Sequence, residues 1–144
     1  MIQIKGKDLL NEINWQELAA MFSSAGLNQR DEKMLEQAFR NSTFCWFGYE
    51  NEKLVGAARA ISDLTWSSYL SDVVVTPERQ GKGYGDQLMK VICTDLAPFG
   101  KTFIYSVVDK TGFYRRHGFE LLSTGMVFAE AGTLNSMRKQ GYLL

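Results

Sequence analysis

The chain has 144 residues, of which 45% are hydrophobic and 22% charged, the proportions of one globular domain, 1–144, with enough apolar material for a core. Sixteen basic residues balance sixteen acidic ones, so no net field draws the chain to nucleic acid or to an anionic membrane. No run of about 18 apolar residues occurs, and residues 1–8 lack an apolar stretch. Neither a membrane span nor a signal peptide is therefore expected, and the expected location is cytoplasmic.

Cysteines 45 and 93 show no paired spacing and His117 is the sole imidazole, which argues against a disulfide framework and against a metal site. Both thiols read as buried, since neither sits in a turn that would expose it.

Asn14 is placed to cap a helix in which Trp15, Leu18, Ala19 and Phe22 share one face, and Gly26 ends it. Asp31 opens a second helix with Leu35, Ala38 and Phe39 on one side. Residues 43–49 are aromatic and strand-like, 50–52 make a turn, and 53–61 return as a partner strand, a hairpin. A further strand over 66–75 ends at Thr76-Pro77, because proline cannot donate to a central ladder. A glycine-rich turn and an amphipathic helix over 86–96 follow. Residues 102–108 read as another strand, 112–117 as a short helix stopped by Gly118, 119–122 and 126–129 as closing strands, and 130–144 as a weakly amphipathic helical tail. The order is mixed α/β around one sheet.

Gly81, Gly83 and Gly85 fall at alternate positions between a hydrophobic strand and a helix. Such a turn lets backbone amides approach a ligand closely, and the helix dipole behind it favours negative charge. Two rival phosphate motifs fail letter by letter. A dinucleotide fingerprint would need glycine at position 86 or 88, which are Asp86 and Leu88, and a P-loop would need Ser or Thr after Gly81-Lys82, where Gly83 stands. What fits is Gln80-x-x-Gly83-x-Gly85 after Val73, Val74 and Val75. In this, the chain resembles the GNAT acetyltransferase superfamily. A second stretch, Gly112-Phe113-Tyr114 followed by Gly118-Phe119, is similar to a later motif of that family.

The resemblance implies an α+β fold: a central mixed, mostly antiparallel sheet with helices on both faces and a splayed strand pair that holds acetyl-CoA. It implies that Val73, Val74 and Val75 pair through their backbone with the pantetheine arm. It places the pyrophosphate on Gly81, Lys82, Gly83, Tyr84, Gly85 and Asp86, with Gln80 in the motif and Arg79 or Lys82 adding charge. No metal is implied. Acyl transfer needs a neutral amine and a proton for the departing thiolate, and Tyr114 matches the family's proton donor. The base is open. Asp72, an ionisable residue before an apolar run, is one candidate, but an exposed or backbone-capping position is an equal reading, and Asp63 reads more simply as a turn residue. Asp109 stands near where many members of the family carry a cofactor-contacting asparagine.

The acceptor is less defined. Residues 54–63 and 72–77 are similar to the plant and cyanobacterial arylalkylamine group of this superfamily. Trp15, Phe22, Phe44, Trp46, Trp66 and Tyr69 either line an aromatic acceptor pocket or belong to the core. The expected activity is transfer of acetyl from acetyl-CoA to a primary amine of a small molecule, an arylalkylamine or polyamine. Two alternatives stand beside it: acetylation of a protein N-terminus or lysine, and a non-catalytic acyl-CoA-binding module. The apolar end at Gly141, Tyr142, Leu143 and Leu144 is compatible with a homodimer.

Overall fold

The computed structural model describes residues 1–144. Five strands form one sheet in the order β1-β2-β3-β4-β5, with β1 (Gln3–Lys5), β2 (Phe44–Glu50), β3 (Lys53–Ser62), β4 (Ser67–Val75) and β5 (Lys101–Phe103). Strands β1 to β4 pair antiparallel, and β5 pairs parallel to β4. The short strand β1 was not anticipated; its three residues align Gln3 with Tyr49 and Lys5 with Phe47 and extend the sheet beyond the hairpin.

Helices α1 (Trp15–Ser24) and α2 (Glu32–Arg40) start where their caps predict. The Asn14 side chain accepts from the Glu17 amide at 3.1 Å and the Asp31 side chain from the Met34 amide at 2.9 Å, each cap contributing about 1 kcal/mol. Their apolar faces cover one side of the sheet, where Leu18, Phe22, Leu35 and Phe39 pack with Cys45, Phe47, Leu54, Ala57 and Val74. Phe22, Phe39 and Phe47 are wholly buried, and burial of each such side chain stabilises by about 2–3 kcal/mol. Helix α3 (Tyr84–Leu96) covers the other side, burying Leu88, Met89, Ile92 and Leu96, while Tyr84 packs with Ile2 and Val55.

Two irregularities bend the sheet. One extra residue enters β3 between Gly56 and Leu54, opposite Gly48 and Tyr49, so residues 54 and 57 point to the same core. One extra residue enters β4 opposite Ala58, between the pairs Ala57–Val74 and Arg59–Ser71. Asp72 lies in that second bulge with φ +56°, a left-handed backbone rare for a residue with a side chain.

The chain comprises two compact units, Met1–Ile104 and Tyr105–Leu144. The second contains α4 (Thr111–Arg115) and α5 (Ala131–Lys139), the latter in the expected tail. Three strand expectations are corrected. The strand expected over 102–108 is only Lys101–Phe103, and the segments 119–122 and 126–129 form no strand. Strand propensity acts through cross-strand partners, and no ladder includes these segments; Met126 and Phe128 are instead fully exposed. No helix is long and apolar enough to cross a membrane.

Candidate active site

The ladder between β4 and β5 is short. It aligns Ser67 with Lys101, Ser68 with Thr102 and Tyr69 with Phe103, and goes no further. Beyond Tyr69, residues 70–75 of β4 pair with β3 alone. The opposite edge of that segment is therefore without a strand, and peptide-like groups of a ligand can pair there as another strand would. Val74 is buried in the core while Val73 and Val75 are half-buried, which fits a role carried by backbone rather than side chain.

At the end of β4 the chain is tied down before it turns. The Thr76 amide donates to the Val55 carbonyl at 2.8 Å, and Pro77–Arg79 form a 3-10 turn. The Gln80 side-chain amide donates back to the Val75 carbonyl at 2.9 Å, so the motif's glutamine braces the loop against the strand it leaves. Gly81 and Gly83 then take φ +82° and +81°, a region costing residues with a side chain about 1–2 kcal/mol. A Cβ at either position would meet no atom within 4 Å. The space beside these two backbones is open, as close approach of a phosphate requires.

Gly83 is the N-cap of α3, and the first helical bond runs from the Gln87 amide to the Gly83 carbonyl at 3.1 Å. The amides of the preceding residues have no carbonyl inside the helix to donate to, and the dipole adds partial positive charge at the same end. The expected pyrophosphate residues Gly81, Lys82, Gly83, Tyr84, Gly85 and Asp86 thus lie in one continuous turn into a helix of 13 residues. Helix α3 begins two residues earlier than its sequence pattern indicates, because Tyr84 turns inward and is buried.

Two side-chain clusters flank this edge, and neither was legible beforehand. At the loop, Arg79 Nε donates to Glu50 Oε1 at 2.6 Å and the Tyr84 hydroxyl donates to Glu50 Oε2. These bonds, Tyr84 first and Arg79 second, hold the Glu50 carboxyl below its ordinary value. Arg79 is thereby engaged with a carboxylate of the protein, not held free for a ligand.

At the bulge, Asp72 is almost fully buried, with its side chain 6% exposed. Its Oδ1 accepts from Arg30 Nη2 and its Oδ2 from Arg59 Nε, both at 2.7 Å. Arg59 continues to Ser42 Oγ at 3.3 Å, and Ser42 donates to the Ala38 carbonyl at 2.7 Å. Of the readings open for Asp72, base candidate or exposed or backbone-capping residue, the position is neither exposed nor a backbone cap: two guanidinium groups occupy its oxygens, the buried-and-partnered state that a carboxylate in this position requires. Asp63 is the turn residue it resembled, accepting from the amides of Thr65, Trp66 and Ser67 at 2.9, 2.8 and 3.0 Å. Those amides, Ser67 first, hold its carboxyl below the usual value.

In the second unit, the Tyr114 ring stands edge-on to Phe113 and Phe119, with centroids 5.0 and 5.9 Å away. The end of α4 explains the Gly-Phe pair of the motif. The Gly118 amide donates to the Arg115 carbonyl and the Phe119 amide to the Tyr114 carbonyl at 3.1 and 3.3 Å, with Gly118 at φ +92°. This glycine-terminated closure folds Phe119 back onto Tyr114. Burial pushes the Tyr114 phenol up to about 12. His117 packs edge-on to Phe113 at 5.3 Å. Cys45 is buried, donates to the Phe39 carbonyl at 3.2 Å, and has its thiol pushed up to about 11 by burial, so it is not an activated nucleophile.

The aromatic residues considered for the acceptor divide. Trp15 packs on Phe39 at 5.8 Å, Phe22 is wholly buried, and Phe44 stacks on Trp46 at 5.6 Å. Only Trp66 stands out in solvent, 78% exposed. Phe22 and Trp46 belong to the core, while Trp15, Phe44 and Tyr69 are half-buried.

Comparison with known proteins agrees with the geometry. The profile of the acetyltransferase (GNAT) family matches residues 9–119, and the chain belongs to that family. It is 32% identical over 111 residues to GCN5-related N-acetyltransferase 1, chloroplastic, of Arabidopsis thaliana, covering 74% of this chain and 56% of that protein. It is 32% identical over 110 residues to serotonin N-acetyltransferase 2, chloroplastic, of Oryza sativa subsp. japonica, covering 72% and 55% respectively. The match thus spans little more than half the length of these two relatives. Among solved structures, a GNAT-family acetyltransferase of Streptococcus pneumoniae TIGR4 superposes with a TM-score of 0.76 at 27% identity, over 91% of this chain and 99% of that one.

Proposed function

We propose that this chain is an acetyl-CoA-dependent N-acetyltransferase that moves acetyl to the primary amine of a small molecule by direct attack in a ternary complex. The observation that carries the donor half is the unpaired edge of β4 over residues 70–75 running into the open turn at Gly81 and Gly83. Acetyl-CoA supplies an activated acyl thioester when bound. The backbone of Val73, Val74 and Val75 offers pairing groups to its peptide-like arm. The amides from Gly81 to Asp86, with Lys82 beside them, receive its phosphates.

Tyr114 is proposed as the group that gives a proton to the departing sulfur. With its phenol up at about 12 it stays protonated wherever an alkylamine is neutral enough to attack. Asp72 is proposed as the residue that holds the β4 bulge through Arg30 and Arg59, and the amine's proton leaves to water. The acceptor class rests on the similarity to a serotonin N-acetyltransferase, because the aromatic residues here are split between core, half-buried and exposed positions. A homodimer is also proposed, supported by the exposure of Leu121, Leu122, Met126 and Phe128; sedimentation equilibrium tests it.

Thiol release from acetyl-CoA with a panel of arylalkylamines, polyamines and peptides tests the whole reading. Turnover with an arylalkylamine or polyamine supports it. Turnover only with peptides moves the acceptor to protein, and acetyl-CoA binding with no turnover on any amine leaves a binding module.

A further inference from the structure

Glu50 belongs to none of the motifs, yet it ties both ends of the glycine turn to one point of the sheet. It is the last residue of β2. Arg79, bound through Nε to Glu50 Oε1 at 2.6 Å, closes the 3-10 turn that enters the loop, and Tyr84, whose hydroxyl donates to Glu50 Oε2, is the first residue of α3. Between these two anchors lie only residues 80–83, with Gly81 and Gly83 in the left-handed region.

Charge alone gives no reason for a carboxylate here. A glutamate beside an anion site repels the anion, and it also neutralises Arg79, leaving Lys82 as the loop's remaining cation. Geometry does give a reason. The positions where Gly81 and Gly83 would carry a Cβ are open to 4 Å, so packing on that side does not hold the loop in shape. Apart from the Gln80 side chain held on the Val75 carbonyl, its shape has to come from its ends. We propose that Glu50 is a positioning residue: a carboxylate clamp that sets the separation of Arg79 and Tyr84 and so pre-organises the loop amides for a pyrophosphate-bearing donor. The inference rests on the donor-site reading given above.

The clamp and a purely electrostatic role differ in sign. Removing the negative charge tightens anion binding if charge dominates and weakens it if the clamp dominates. The test is the acetyl-CoA Kd of the wild-type chain, Glu50→Ala, Glu50→Gln and Tyr84→Phe by titration calorimetry, with amide hydrogen exchange over residues 80–86 of the ligand-free proteins. The clamp predicts Kd about tenfold higher for Glu50→Ala and about threefold higher for Glu50→Gln and Tyr84→Phe. It also predicts faster exchange confined to the loop while the thermal midpoint stays within a few degrees. For the amine acetylated fastest in the panel, KM for acetyl-CoA rises with Kd while kcat and the amine KM stay near wild type. Unchanged or tighter binding in Glu50→Ala overturns the clamp; should that variant fail to fold, unchanged binding in Tyr84→Phe overturns it instead. A wild-type chain that does not bind acetyl-CoA overturns the donor-site reading and the clamp together.

Discussion

Tyr114 combines a half-buried phenol with edge-on contacts to the Phe113 and Phe119 rings. Its ordinary value is about 10 and its folded value is about 12, so the folded chain holds the proton more tightly than the unfolded one. The sign follows by linkage: stability tied to the neutral phenol is complete below about pH 10, and is lost as pH rises toward about 12. Tyr114→Phe is expected to lower kcat by about a hundredfold or more while leaving the acetyl-CoA Kd unchanged, measured by steady-state kinetics and calorimetry. Unchanged kcat removes the acid role. Asp72 predicts the opposite pattern. Asp72→Asn leaves two guanidinium groups without their buried partner, and because Arg30 is 31% exposed the loss is put at about 2–3 kcal/mol, read from urea unfolding. The pH dependence of kcat/KM should still follow the amine's own ionisation. A proton acceptor at Asp72 would instead abolish turnover at near-normal stability.

At the scale of elements, the site depends on a strand that stops pairing and a loop that cannot pack. Strand β4 pairs with β3 on both sides of its bulge and with β5 for only three residues. Gly83→Ala tests the loop. The new methyl would meet nothing within 4 Å, so the stability cost is the left-handed backbone alone, about 1 kcal/mol. The methyl would occupy the space kept open for the donor, so the acetyl-CoA Kd is expected to rise more than tenfold. Thermal unfolding and calorimetry on the same sample separate the two effects; a Kd within twofold of wild type would mean the ligand does not approach this glycine.

For the molecule as a whole, the donor site predicts a mass-action effect. Acetyl-CoA at 100 times its Kd should raise the unfolding free energy by about 2.7 kcal/mol, a rise of roughly 5–10 °C in Tm for a chain of this size. Scanning fluorimetry against acetyl-CoA checks it, and no shift at saturating ligand would be incompatible with a site on the native fold. The shift should shrink with added salt, since the phosphates meet backbone dipoles and Lys82 near the surface.

Much of the molecule is legible in its linear order because it rests on local rules. Asn14 and Asp31 cap their helices through neighbours three residues on, the hairpin follows from an aromatic strand-like run and a polar turn, and the Gly81 and Gly83 conformations follow from the only residue type that adopts them cheaply. Gly118 and Phe119 are likewise local. What the order of residues does not contain is which distant charges meet. Glu50 meets Arg79 and Tyr84 from 29 and 34 positions away, and Asp72 meets Arg30 and Arg59 from 42 and 13. A carboxylate written in one dimension reads equally as base, cap or ion-pair partner, since its role is set by what surrounds it once buried. The same holds for strands: residues 102–108, 119–122 and 126–129 carry strand propensity, but a strand exists only where a segment pairs with a neighbour, and the ladder on β4 stops at the pair Tyr69–Phe103.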